Sequence, residues 1–572
     1  MQRPATDWTI ARASRAQSID DVRAALLALR GLSPADLECR LADLEADMEA
    51  IRDLDAAAER VAAALGRGEE IVVVGDYDCD GLTSVAQVVL FLRAVGHRRF
   101  AAVTPTNRAE GYGMPLAAVT EHPDAGLFLV LDCGSFDREP VAAARARGAD
   151  VVVLDHHEVS DPRTLAPASI LVNPKHPRCS SPFKDYATAG LVLLFLARLR
   201  RALDDAGMGR PALDGDFLAL AAVGTIADMM PLTGANRTLV HHGLQQLNRG
   251  ASPPLQGLRA VAGLTGRTLS AGHIGFQIAP RLNAAARVAD ARAALDLLLA
   301  EDEAQINRYA HELDRLNRDR QRQVDEISGE LLPRLEAMAE RRTIVLADTC
   351  FPLGINGILA QRVVREVHRP AVVLQVFPDT GLATGSARSI PGFDLYGALE
   401  ACAGLLHRWG GHAMAAGLTV RLEHLEALRA RFEAVALEVE ACVYQPTARA
   451  DLELDPALIG PELHAALEAF EPYGVGNPRP QFALREQKIT GTRTFGSAGA
   501  GDHLELTLEG GLRGVLWGGA RRAAQVKGAT VDLVCGISWN EYRGTVQLEI
   551  KDLGPGLFAP PVACGAQSVG ES

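Results

Sequence analysis

The sequence predicts an α/β multidomain protein: a doubly wound parallel-sheet domain, a long connecting helix, a smaller α/β domain and a C-terminal β-barrel. Three observations carry that expectation. Between residues 69 and 155 the apolar runs in IVVVGD, FAAVTP, FLVLDCG and DVVVLDHH alternate with helical stretches, the pattern of parallel strands joined by crossovers. Residues 290–340 hold a long charged helical repeat. The segment 450–553 packs five short strands and Gly-rich turns into its length.

The elements follow in order. Residues 1–65 read as an N-terminal helical segment, with an Ala/Leu stripe over 18–66 that is most regular from Asp36 to Arg60. Residues 66–289 form the first α/β domain; a helix from Ser84 to Val95 follows its first strand, and 187–247 is helical around LALAAVGTIADMMPL. In the 290–340 connector, Ile306, Leu313, Leu316, Val324, Ile327 and Leu331 make one short stripe, which favours a helix between two lobes over a coiled coil. TIVLAD and AVVLQV open a second α/β domain over 341–445. ITGTRTF, HLELTL, LRGVLW, VDLVCGISW and GTVQLEI place a small barrel, with the OB-fold as leading candidate, in 446–556. Residues 557–572 read as a disordered tail.

Composition excludes several classes. The chain of 572 residues is 48% hydrophobic and 23% charged, an ordinary globular balance too long for one core. No stretch approaches the roughly 20 apolar residues of a membrane span, and the N-terminus lacks the apolar core of a signal peptide, so a cytoplasmic protein is expected. Nine cysteines without a CxxC pair argue against zinc modules and a disulfide framework. The net charge of −13 does not exclude a nucleic-acid enzyme, which needs acids in its site and basic residues only locally.

Asp76, Asp78 and Asp80 alternate in VVVGDYDCDG, directly after an apolar strand. Carboxylates this close repel one another, and a cation relieves that repulsion; on these three residues alone, a solvated polar loop is the weaker alternative reading. Asp132, the Asp155-His156-His157 triplet and Asp228 change the balance, because they too follow apolar strands or a compact helix. Oxygen donors with one or two imidazoles suit Mn²⁺ or Mg²⁺ better than zinc.

GDYDCDG, VLDCG, LDHH and GTIADMMPL resemble the four ordered motifs of the DHH phosphoesterase superfamily. PRLNAAAR, GSARSI and RWGGHAMAAG resemble further motifs of its RecJ branch, the single-strand-specific 5′→3′ exonucleases. The resemblance runs from about residue 66 to 550 and implies a DHH domain, a connecting helix, a DHHA1 domain and an OB-fold. It implies two Mn²⁺ or Mg²⁺ ions held by Asp78, Asp80, Asp132, His156 and Asp228, with Asp132 bridging. Asp76 and Asp155 would orient those ligands, and His157 would face the scissile phosphate. Asn107, Arg108, Arg281, Arg287, Ser386, Arg388 and His412 would contact DNA phosphates, in a cleft between two lobes. The implied reaction is hydrolysis of single-stranded DNA to 5′-mononucleotides by two-metal activation of water, in recombination and repair. A monomer is expected, with a single-strand-binding protein and a helicase as candidate partners.

The aromatics Trp517, Trp539 and Tyr542, with Arg513 and Arg543, are candidates for stacking bases on the barrel, although Trp517 in GVLWGG reads as barrel core. The chain departs from the family pattern at Phe351, Pro352 and Gly354, at Ala286 and at Ala387, none of which belongs to the metal set. Two other readings compete: a phosphoesterase for short oligonucleotides or cyclic dinucleotides, and a DNA-binding scaffold whose nuclease has decayed.

Overall fold

The computed structural model describes residues 6–105, 113–209, 211–496 and 502–558. Asn107, Arg108 and almost all of the expected tail therefore lie outside the described residues. Two compact units emerge, one of residues 34–321 with 471–478, the other of 1–33, 322–470 and 479–572.

In the first unit, strands β2 (Ile71–Gly75), β3 (Phe100–Val103), β4 (Leu127–Leu131), β5 (Asp150–Leu154) and β6 (Ile170–Val172) form a wholly parallel sheet, ordered β3-β2-β4-β5-β6. Both faces are covered. Ile71, Val73, Leu129 and Leu154 enter one core, while their neighbours Val72, Val74, Val130 and Val153 enter another. That is why these strands read as unbroken apolar runs rather than alternating ones. The strand order reverses between β2 and β4, so a crevice opens at their carboxyl ends. Asp76 and Asp132 are the next residues after these two strands.

Helices Thr188–Asp205, Gly215–Ala227 and Gly234–Asn248 occupy the stretch expected to be helical. The helix after β2 begins at Cys79, earlier than its apolar pattern suggests, because Asp78 caps it by accepting from the amides of Asp80 and Gly81. Its first turn is thus made of the acidic loop itself.

The long helix Glu303–Glu336 carries the chain from the first unit to the second. Ile306, Leu313 and Leu316 are buried in the first unit's core, Val324 and Leu331 in the second's, so one stripe serves two cores. In the second unit β7 (Ile344–Asp348), β8 (Ala371–Phe377), β9 (Leu382–Arg388), β10 (Leu406–Gly411) and β11 (Ala415–Arg421) form a mixed sheet ordered β10-β11-β9-β8-β7. Strands β12 (Thr447–Leu454), β13 (Phe482–Phe495), β14 (His503–Leu508), β15 (Arg513–Leu516), β16 (Thr530–Asn540) and β17 (Thr545–Gly554) make the last sheet. Its pairings run β13–β14–β15–β17–β16 and return through β13–β16.

The N-terminal segment departs from the helical expectation. Asp7–Ala16 is a strand, β1, paired in parallel with β12 more than 400 residues away. Helix Ile19–Leu29 follows, and the regular-looking stretch 36–60 is broken into short pieces, with Asp53 at φ +63 before helix Leu54–Arg67. Trp8 and Ile10 alternate correctly for a strand and pack near Ala450, Ala483 and Val534, but a two-residue alternation is too short a signal without its distant partner.

Helices Gly215–Ala227 and Gly234–Asn248 touch at Gly243, where a Cβ would overlap Leu218 O and Ala222 Cβ. Gly243→Ala is expected to destabilise the protein by about 1–3 kcal/mol, read as a shifted denaturant midpoint at constant m-value.

Candidate metal centre

Each acidic residue is delivered by the end of an apolar element. Asp76, Asp78 and Asp80 leave β2, Asp132 leaves β4, Asp155 leaves β5, and Asp228 ends helix Gly215–Ala227. The tight β2 turn needs Gly81, whose added Cβ would lie 2.5 Å from Asp76 O. Asp132 holds φ +62, a left-handed conformation an aspartate tolerates better than most residues.

The side chains converge in two groups. Asp76, Asp78 and Asp132 place ligand atoms within 4.8 Å of one another, Asp80, His156 and Asp228 do the same, and Asp132, His156 and His157 form a third such group that links the two. His156 Nε2 lies 3.4 Å from Asp132 Oδ1, 3.5 Å from Asp228 Oδ2 and 4.0 Å from Asp80 Oδ2. Asp132 thus joins the first group to His156, and His156 joins Asp132 to Asp80 and Asp228. Asp76, Asp80, Asp132 and His156 are all buried.

Backbone and side-chain donors hold part of this set in place. Both oxygens of Asp80 accept from the N-terminus of helix Thr188–Asp205, at 2.7 Å from Thr188 N and 2.8 Å from Ala189 N. Thr188 Oγ1 donates to Asp132 Oδ1 at 3.0 Å. The Cys79 amide, between two of the acids, donates to Asn283 Oδ1 at 2.8 Å. Neither Thr188 nor Asn283 stands out among the sequence candidates. Asn283 lies in PRLNAAAR, but its amide role depends on a fold contact 204 residues apart.

The electrostatics call for positive charge. Burial, then the charge of Asp78, pushes Asp80 up to about 7. Burial, then Asp80 and Asp78, pushes Asp228 up to about 8. Asp132 is raised well above the carboxylate range by burial and by Asp80, Asp78, Asp228 and Asp76. Asp228 Oδ2 is buried without a hydrogen-bond partner. A divalent cation supplies the missing partner and charge. The donors are hard oxygens and one imidazole. Burial drives the nearby Cys79 and Cys133 thiols well up, so they stay protonated and offer no thiolate. The set fits Mn²⁺ or Mg²⁺.

The two histidines divide. Burial, then the charge on His157, lowers His156 to about 4, leaving a neutral imidazole suited to a metal. Burial also opposes charge on His157, but the Asp155 hydrogen bond at 2.7 Å and its charge outweigh this, with help from Asp228 and Asp78, and raise it to about 9. Asp155, held well below its ordinary range by His157 in spite of burial, also accepts from the amides of His156 and His157.

Three comparisons bear on this arrangement. The DHH family N-terminal domain matches residues 70–225, the DHHA1 domain 340–438 and the RecJ OB domain 450–552. The single-stranded-DNA-specific exonuclease RecJ of Bacillus subtilis (strain 168) is 32% identical over 92% of this chain and 67% of its own length. The chain belongs to the RecJ family. A crystal structure of RecJ from Thermus thermophilus in complex with Mn²⁺ superposes with a TM-score of 0.79 at 31% identity, covering 98% of this chain and 80% of that one. Its Mg²⁺ complex gives 0.73 at 30%, with 97% and 79% covered.

The remaining RecJ-type candidates are placed unevenly. Arg281 is half-buried and committed: Nε and Nη2 lie 3.0 and 2.8 Å from Asp314 Oδ1, and Nη1 donates to Gln277 O at 2.5 Å. It is thereby tied to the long helix. Arg287 is half-buried on helix Ala279–Val288. Ser386 and Arg388 lie on β9 beside Gly357, whose added Cβ would meet Arg388 Nη2 at 2.8 Å and Ser386 Oγ at 3.6 Å. His412 is exposed in the β10–β11 turn. Ala286, Ala387 and Phe351 are buried, so these departures from the family pattern act on packing.

In the OB domain the expectation that Trp517 is core is overturned, since it is 58% exposed, with Trp539 at 41% and Tyr542 at 97%. The Trp517 ring lies 4.8 Å from His503 and 5.9 Å from Phe495. Glu505 pairs with Arg543 and Arg493 and has Arg513 at 3.9 Å, so three arginines surround one carboxylate.

Asn283→Ala would leave the buried Cys79 amide without its acceptor. The expected cost is about 1–3 kcal/mol of stability, together with a weaker Mn²⁺ isotherm in calorimetry.

Proposed function

We propose that this chain is a Mn²⁺- or Mg²⁺-dependent 5′→3′ exonuclease that hydrolyses single-stranded DNA to 5′-mononucleotides. The observation that supports it best is the chain of donor groups in which Asp132 and His156 link Asp76 and Asp78 to Asp80 and Asp228. In this reading Asp76, Asp78 and Asp132 would hold one ion, and Asp80, His156 and Asp228, with Asp132 near His156, the other. Asp76 thereby moves from supporting acid to ligand. Bound there, the ions supply Lewis acidity and a nucleophilic water near neutral pH.

The chain's own residues do the rest. Asp155 keeps His157 protonated and fixes its ring, so a cationic N–H is available to a phosphate oxygen. Thr188 and Asn283 hold the acids in register and limit reorganisation during the reaction. Ser386, Arg388 and His412, with Asn107, Arg108 and Arg287, are proposed phosphate contacts. Trp517 and Tyr542 offer sequence-tolerant stacking surfaces to a single strand.

An enzyme restricted to single strands needs the duplex opened, so a helicase and a single-strand-binding protein are the partners that fit. We place the protein in the cytoplasm as a monomer acting in recombination and repair. Among the described residues, no helix is long and apolar enough to cross a membrane.

With Mn²⁺, purified protein is expected to release mononucleotides from 5′-ended single strands. Chelation should stop this, and Asp132→Ala should reduce it by at least about 10³-fold, given the several kcal/mol a metal centre contributes. Equal digestion from a blocked 5′ end would overturn the polarity, and turnover confined to dinucleotides would favour a small-substrate phosphoesterase.

A further inference from the structure

Phe276 is 83% exposed, yet it lies in an unusual piece of backbone. Residues Ile274–Ile278 form a π-helical turn between Ser270 and helix Ala279–Val288. The Ala279 amide donates to the Ile274 carbonyl five residues back, and Pro280 follows directly. Proline has no N–H, so the Phe276 carbonyl loses its ordinary donor four residues on. Arg281 then secures the turn, donating to Gln277 O while its other edge is held by Asp314, itself paired at 2.6 Å with Arg318.

This segment also abuts the metal centre. Asn283 accepts from the amide of Cys79, between Asp78 and Asp80. Gly275 backs onto the helix that delivers Asp228, where an added Cβ would sit 3.5 Å from Ile226 Cγ2. Met229, the residue after Asp228, is 68% exposed at φ +59. Two large apolar side chains, one next to Asp228 in the chain and one on the segment packed behind the helix that delivers it, are thus kept in water.

We infer that Phe276 is a nucleobase-stacking platform that positions a single strand over the metal centre, with Met229 as a second exposed apolar contact. Every base has a π-face, so such a platform is indifferent to sequence. In a duplex those faces are already stacked, so the same platform favours unpaired bases. Phe276 is here a substrate-positioning residue, and Arg281 is the part that holds its turn. The inference rests on the nuclease reading for its substrate, and the crosslinking arm of its test does not need turnover.

The full-length protein, chelated to stop hydrolysis, would be photocrosslinked to a single strand carrying 5-iodouracil near its 5′ end and mapped by mass spectrometry. In parallel, wild type, Phe276→Ala and Phe276→Trp would be compared in Mn²⁺-dependent hydrolysis. The expected result is a crosslink at Phe276, a rise in KM of about tenfold in Phe276→Ala, within the range of one lost stack, and recovery in Phe276→Trp at an unchanged melting temperature. Hydrolysis by wild type with no crosslink at Phe276 and the same KM in Phe276→Ala would overturn the inference while leaving the nuclease reading intact. A crosslink at Phe276 in a protein that never hydrolyses DNA would do the reverse.

Discussion

The rest of the first unit is organised by one electrostatic constraint: five carboxylates share a small, largely buried volume at the crevice between β2 and β4. In low dielectric each raises the cost of ionising its neighbours. The fold answers with fixed dipoles wherever it has them. The N-terminus of helix Thr188–Asp205 serves Asp80, and the first turn of the helix after β2 serves Asp78. What these amides leave uncompensated, chiefly at Asp132 and Asp228, is the part a divalent cation must neutralise. The metal requirement is thus a consequence of the topology, because a parallel sheet with this strand order delivers its loops to one edge.

The metal loops are legible in the sequence because each acid follows a run of apolar residues, and burial on both sheet faces makes such runs continuous. The division of labour among the acids is not. Asp76 precedes the cap and reads as peripheral, but the turn at Gly81 folds it back beside Asp78 and Asp132. Arg281 sits in a motif suggestive of phosphate contact, whereas its guanidinium is occupied by Asp314, 33 residues later on another helix. Trp517 reads as core because its neighbours Val515 and Leu516 are core; strand alternation does not say how a chain leaves its sheet. Strand β1 has its partner at the far end of the sequence, and no local pattern reports that.

The same distinction separates the two arginine populations in the chain. Arg281 and the three arginines around Glu505 are already paired with carboxylates, and so contribute less to a DNA phosphate than their number suggests. Around Glu505 the three positive charges and one negative leave a net of two. With an overall charge of −13, the protein has little long-range attraction for a polyanion. In the proposed function, binding then draws comparatively more on exposed aromatic faces, namely Trp517, Tyr542 and Phe276, than on counterion release. Stacking needs bases that are unpaired, so a weak electrostatic grip and a preference for single strands are two effects of one distribution of side chains.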